Sequence, residues 1–252
     1  MPVRPPAPHP FLEWDGPIAF AHRGGASDNP ENTMPAFQHA VDLGYTYLET
    51  DVHATSDGVL VAFHDADLSR TCGRPGRIDT LPWREVSAAR VAGREPIPPF
   101  EDLVGAFPDA RINIDCKANG ALPSLIASLR RLDCLDRVCL GGFSDQRLRR
   151  LRAAFGERLC SSFGPVQMAS LRSGARVPFG GQLAQVPVRV GRVTIVTPGT
   201  VARAHRRGYH VHVWTIDDPD EMTRLLDLGV DGIMTDRPQV LKDVLLARGE
   251  WR

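Results

Sequence analysis

The stretch VHVWTIDDPDEMTRLLDLGVDGIMTD, residues 211–236, decides the fold. Val211, Val213 and Thr215 alternate with His212 and Trp214, which is the two-residue period of a strand. Asp218-Pro219-Asp220-Glu221 then supplies an N-cap, a proline at the first helical position and a glutamate at the third. Met222, Leu225 and Leu226 form one apolar stripe, Gly229 stops the helix, and Gly232–Thr235 reads as the next strand. A strand, a helix and a strand in so short a span make a βα unit with parallel strands. Residues 240–247 add the closing helix.

The same alternation extends back to the start of the chain. Ile18–Ala21 is a compact apolar run that ends at His22, and Met34, Phe37, Ala40 and Val41 recur at helical spacing before Gly44. Residues 45–52 and 59–63 read as strands separated by the turn Ser56-Asp57-Gly58. Arg111–Cys116 and residues 138–140 read as strands, and Leu122–Leu132 and residues 146–155 as helices. Further on, residues 159–163, 183–188 and 193–196 are candidate strands, with helical stretches near 166–172 and 200–207. About eight βα units of this kind define an α/β fold and predict a closed (β/α)8 TIM barrel. An open doubly wound sheet would carry a glycine-rich nucleotide loop, and neither GxGxxG nor GxxxxGK[ST] occurs. Residues 67–98 fit no βα unit and read as a short insertion over the C-terminal mouth of the barrel. The domain reading is an extended proline-rich leader over residues 1–15, with five prolines in the first ten positions, and one catalytic domain over 16–252.

The chain has 252 residues, 42% of them hydrophobic and 24% charged. That is a globular balance, and it excludes a disordered chain, a collagen and a coiled coil. Thirty basic residues cancel thirty acidic ones, so no global field holds a nucleic-acid backbone or an anionic membrane. Lysine occurs only at Lys117 and Lys242. The five cysteines form no CxxC pair, which argues against a disulfide framework or a zinc knuckle and predicts reduced thiols in a cytoplasmic protein. The proline-rich start has no apolar h-region, so no signal peptide is expected, and no stretch of the sequence predicts stable membrane insertion.

In a barrel the chemistry sits where strands end. The first strand ends at His22-Arg23-Gly24-Gly25. The second carries Glu49 and Asp51, two apart and therefore on one face. The next extended run ends at His64-Asp65, and Arg111–Cys116 leads through Asp115 to Lys117. The strand after Tyr209 ends at Trp214. Interior carboxylates are costly unless compensated, so Glu49, Asp51 and Asp115 together call for one hard divalent cation, Mg²⁺ or Ca²⁺. Cationic groups facing that ion imply an anion between them. A phosphoryl group meets the need, with Arg23 on its oxygens and His22 and His64 moving protons. His9, His39, His53, His205, His210 and His212 lack such placement and read as structural.

The ordered motifs resemble the glycerophosphodiester phosphodiesterase family. His22-Arg23-Gly24-Gly25 with Pro30-Glu31-Asn32-Thr33 is similar to its HRG…PENT opening. Glu49-Thr50-Asp51-Val52, Thr55-Ser56-Asp57-Gly58 and Phe63-His64-Asp65 resemble its ExDV…T.DG…HD block. Asn113-Ile114-Asp115-Cys116-Lys117 resembles NIEIK, and the stretch from Val213 to Pro238 resembles WTVN…GVDGIITDRP.

The resemblance implies a TIM barrel that hydrolyses glycerophosphodiesters, small-molecule substrates, to glycerol 3-phosphate and an alcohol with a divalent cation. It implies His22 and His64 as the acid–base pair and Glu49, Asp51 and Asp115 as metal ligands. Arg23 and Lys117 would hold the phosphate, Glu31 and Asn32 would line or brace the site, and Trp214 would wall the glycerol. It also implies that the substrate's own glycerol hydroxyl attacks first, leaving a cyclic phosphate for water to open. Two substitutions depart from the pattern. Asp115 replaces a glutamate and reaches one methylene less far, so water would bridge it to the cation. Asp217 replaces an asparagine and reads as a surface or helix-start change. The rival readings are a lysophospholipase D, for which the insertion offers Leu81, Trp83, Val86 and Val91 as an apolar face, and an inactive barrel that binds phosphorylated ligands.

Overall fold

The computed structural model describes residues 8–175 and 180–252. Eight parallel strands follow one another around a barrel in sequence order. They are Ile18–Ala21, Tyr47–Ala54, Arg111–Cys116, Val138–Gly141, Cys160–Ser161, Leu183–Pro187, His210–Trp214 and Gly232–Thr235. The first pairs with the eighth, Ile18 beside Gly232. The fifth meets the sixth through a parallel bridge between Ser162 and Leu183, where Phe163 N–H donates to the Leu183 carbonyl at 2.8 Å. The expected eight-stranded barrel is present.

Local signals explain the units. The Asp218 carboxylate accepts the Glu221 N–H at 2.8 Å and caps Pro219–Asp227, whose buried stripe is Met222, Leu225 and Leu226. On the seventh strand Val211 and Val213 pack outward with the helices, while His212 turns inward against Phe20, ring centres 5.0 Å apart. Among the described residues eight longer helices, from Met34–Asp42 to Pro238–Ala247, wrap the outside.

Several expectations need correction. The run at 59–63 is no barrel strand: Leu60–Ala62 folds back antiparallel on the end of the second strand, Val52 opposite Ala62. Its connecting turn is far too short for the crossover that a parallel neighbour demands. Residues 193–196 likewise yield a two-residue antiparallel ribbon, Val193–Thr194 against Arg189–Val190, outside the barrel. Residues 159–163 contribute only Cys160–Ser161 to regular strand.

The excursion between the second strand and its helix Phe100–Ala106 spans 55–99, longer than the 67–98 read from sequence. It has its own core of Val61, Phe63, Leu68, Ile78, Val86, Ala89, Val91 and Ile97. The leader also departs from an extended tail. Residues 1–7 lie outside the described residues, but Pro10–Leu12 is a short 3-10 helix that plugs the N-terminal end of the barrel. Phe11 is fully buried, edge-on to Tyr47 at 5.3 Å, and the Tyr47 hydroxyl donates to its carbonyl at 2.7 Å. The proline content masked two apolar side chains that the open barrel end requires.

Candidate active site

The site is built by the strand ends at the opposite, C-terminal mouth. After the first strand the chain turns sharply through His22–Gly24, and Arg23 adopts a left-handed φ of 52°. That aims the Arg23 N–H at Glu49 Oε2, 3.1 Å away. Gly24 makes the turn fit: with φ at 83°, a Cβ there would lie 2.8 Å from the backbone of Phe37.

On the second strand Glu49 and Asp51 both face inward and are buried. Asp115 sits beside Asp51 in register on the third strand. Lys117 bridges these two, its Nζ 2.8 Å from Asp51 Oδ1 and 2.6 Å from Asp115 Oδ2. Burial and the neighbouring Asp51 push the Glu49 carboxyl up to about 7. Burial works in the same direction on Asp51, but Lys117 and Arg23 outweigh it and hold that carboxyl below its usual range. The charge of Lys117 is in turn stabilised against burial by Asp51 and Asp115.

Each site histidine is held by a carboxylate on Nδ1, and Nε2 of His22 also lies 3.8 Å from Glu49 Oε2. His22 Nδ1 lies 2.7 Å from Asp236 Oδ1, and His64 Nδ1 lies 2.6 Å from Asp65 Oδ1. Burial would lower the His22 pKa, but Glu49 and Asp236 overcome it and raise it. Asp65 is depressed to about 2, first by the hydrogen bond from Arg70 and then by that from His64. Arg70 also grips Glu31, which accepts from Arg23 Nη1 at 2.9 Å. Asn32, at a left-handed φ of 55°, donates to Asp51 Oδ2 at 3.1 Å and accepts from the Thr50 hydroxyl.

Of the ten residues singled out from sequence, His22, Arg23, Glu49, Asp51, His64, Asp115, Lys117 and Trp214 line one cavity of about 260 Å³. Glu31 and Asn32 stand behind it as braces. Sequence reasoning assigned no role to Asp65 or Asp236, although both lay inside quoted motifs. His53, read as structural, supports His64: its Nε2 lies 3.0 Å from the His64 carbonyl. Asp217 is not a surface change. Its Oδ1 accepts from the Thr235 hydroxyl and the Asp236 N–H, both at 2.8 Å, and so fixes the loop that carries Asp236. Asn113, Gln185, Ser162 and Phe143 complete the wall, with Gln185 donating to Asn113 Oδ1 at 2.6 Å.

The residues fit a hard cation in their donor chemistry. All three carboxylates offer oxygen, and Asp115 Oδ1 is buried with no hydrogen-bond partner. Among the described residues no three His, Cys, Asp or Glu side chains already converge as a metal cluster. Lys117 supplies the positive charge between Asp51 and Asp115.

The mouth of the barrel thus gathers two histidines, an arginine, a lysine and three carboxylates around one cavity. The sequence profile of the glycerophosphoryl diester phosphodiesterase family matches residues 22–240. A probable glycerophosphodiester phosphodiesterase of Mycobacterium tuberculosis is 44% identical, over 96% of this chain and 95% of that protein. A mouse lysophospholipase D is 29% identical over 90% of this chain and 85% of its own length. Among solved structures, a Silicibacter pomeroyi protein described as a putative glycerophosphoryl diester phosphodiesterase superposes with a TM-score of 0.82 at 23% identity, covering 96% of this chain and 99% of that one. The chain belongs to the glycerophosphoryl diester phosphodiesterase family and is an enzyme of that class.

Proposed function

We propose that the enzyme hydrolyses glycerophosphodiesters to glycerol 3-phosphate and an alcohol, using His64 and His22 as base and acid and one divalent cation, Mg²⁺ or Ca²⁺. The observation that carries this reading is the pair of imidazoles, each braced on Nδ1 by its own carboxylate and both lining the cavity that holds Arg23 and Lys117. Glu49, Asp51 and Asp115 would hold the cation. When bound, the cation withdraws charge from the phosphoryl oxygens.

His64 Nε2 takes the proton of the glycerol hydroxyl as that oxygen bonds to phosphorus. The bond from phosphorus to the alcohol oxygen breaks, and His22 Nε2 gives that oxygen its proton. Water then opens the cyclic phosphate with the two roles exchanged. The raised pKa of His22 keeps its ring protonated closer to neutral pH, which suits the acid. Arg23, fixed by Glu31 and Asp51, faces the developing charge.

The test is turnover of glycerophosphocholine, -ethanolamine, -glycerol and -inositol with and without each cation, for the wild type, His22→Ala and His64→Ala. A positioned acid or base contributes about 10²–10⁴ in rate, so either variant loses about 3–5 kcal/mol of transition-state stabilisation. A p-nitrophenyl diester that keeps the glycerol hydroxyl restores His22→Ala far more than His64→Ala. Ligand binding with no glycerol 3-phosphate released from any diester would refute the reading in favour of a non-catalytic barrel.

A further inference from the structure

Among the described residues five large apolar side chains stand out into solvent: Phe143, Val166, Val190, Val193 and Leu246. Four of the five lie in consecutive connections that follow barrel strands at the mouth, Val166 in the first turn of the helix Pro165–Ser173. Phe143 follows the fourth strand, Val166 the fifth, and Val190 and Val193 the sixth. These strands are neighbours in the barrel, and the first two loops are tied together where Val166 N–H donates to Asp145 at 3.2 Å.

The third loop is the most exposed. Every residue from Arg189 to Thr194 is open to solvent, although the ribbon is firmly rooted: Ile195 N–H donates to the Val188 carbonyl at 2.8 Å, and Ile195 and Val196 are buried. Valines presented on a rooted ribbon add nothing to the core. Two arginines, Arg189 and Arg192, each immediately precede one of them, and residues 186–197 contain no aspartate or glutamate.

The other side of the mouth differs. Val86 and Val91 of the insertion, candidates for an apolar face, are buried in its private core. The cavity itself, at about 260 Å³, takes a polar headgroup and little more. From its wall Trp214 meets Phe143 edge-on at 5.5 Å, so an apolar pair leads from the cavity to the exposed segment after the fourth strand.

We propose that the loops after the fourth, fifth and sixth strands form a rim that docks on an anionic lipid surface, where the cavity takes the headgroup of a lysophospholipid held in that surface. The proposal rests on the phosphodiesterase reading above and names the source of a substrate for the same site. Valines enter the boundary between headgroups and acyl chains, and the two arginines face the lipid phosphates. The rim supplies a local positive charge that the neutral net charge of the chain hides.

The experiment is co-sedimentation of the full-length protein with vesicles of phosphatidylcholine containing phosphatidylglycerol, at low salt, beside vesicles of phosphatidylcholine alone. The wild type sediments with the anionic vesicles. Arg189→Gln/Arg192→Gln lowers the partition coefficient about 25-fold, or about fivefold per arginine. Val190→Asp/Val193→Asp abolishes sedimentation, with melting temperatures of both variants unchanged. Both hydrolyse soluble glycerophosphocholine like the wild type, but lose turnover of lysophosphatidylcholine embedded in the anionic vesicles. Wild-type protein that stays in the supernatant, or variants that sediment equally, would overturn the proposal. A concentration-dependent dimer that Val190→Asp/Val193→Asp dissolves, without vesicle binding, would overturn it in favour of self-association. Vesicle binding without turnover of any soluble diester would sink the reaction and leave the rim standing.

Discussion

Asp236 Oδ1 lies 2.7 Å from Nδ1 of His22, joining the end of the last barrel strand to the end of the first. The bond orients the ring and places a negative charge beside it. Asp217 fixes Asp236 in turn through its N–H. Asp236→Asn keeps the shape and removes the charge. Loss of a neighbouring anion lowers the pKa of an imidazole, so the protonated acid disappears at lower pH. The alkaline limb of kcat/KM is expected to move to lower pH, and kcat on poor leaving groups to fall by about 10²-fold. An unchanged limb would show that Asp236 only orients the ring.

Asp115 presents one oxygen to Lys117 and keeps the other buried without a hydrogen bond. Exhaustive chelation is expected to abolish activity, and Mg²⁺, Mn²⁺ or Ca²⁺ to restore it. Asp115→Glu should lower the cation concentration for half activity, and Asp115→Ala should raise it. Isothermal titration with Mg²⁺ checks both without relying on turnover. If Asp115→Ala binds Mg²⁺ like the wild type, Asp115 is no ligand.

Lys117 carries the positive charge between Asp51 and Asp115. Removing one partner of a buried ion pair costs about 3–5 kcal/mol. Lys117→Met is therefore expected to lower the stability of the cation-free protein by about 3 kcal/mol in urea unfolding. Saturating Mg²⁺ should recover most of that loss, because it restores positive charge beside the same carboxylates. Turnover stays low if the ammonium also faces the phosphate.

Phe11 is completely buried beneath the barrel, far from the mouth. Truncating a buried phenylalanine costs about 3–5 kcal/mol. Phe11→Ala should shift the denaturant midpoint accordingly and leave kcat/KM on soluble diesters unchanged. A variant as stable as the wild type would return the leader to the status of a tail.

The barrel was legible because helix caps and strand periods recur along the chain, and because Glu49 and Asp51 share a face by simple alternation. Register then set Asp115 beside Asp51, as an interior reading of both strands requires. The residues missed depend on distances that sequence does not encode. Asp65 is adjacent to His64 in the chain, yet only the fold turns its carboxylate onto Nδ1. Asp236 stands 214 positions from its partner. The hairpin at 60–62 has the composition of a barrel strand, and only its short turn separates the two readings. In the leader, proline content outweighed Phe11 and Leu12, whose burial depends on an open barrel end that local pattern cannot reveal.

The hairpin that carries His64 has a wider consequence. His22 is mounted on the hoop itself, a strand end clasped on both sides by parallel neighbours. His64 is cantilevered: it follows a three-residue arm folded back on an overhang of the second strand, steadied by the His53 ring and the Asp65–Arg70 clasp. The two site imidazoles thus have separate foundations. Remodelling the excursion retunes one imidazole while the hoop keeps the other and the three carboxylates in place. A chimera that exchanges residues 65–97, beyond the arm and His64, would separate what the rest of the excursion contributes from what the barrel contributes.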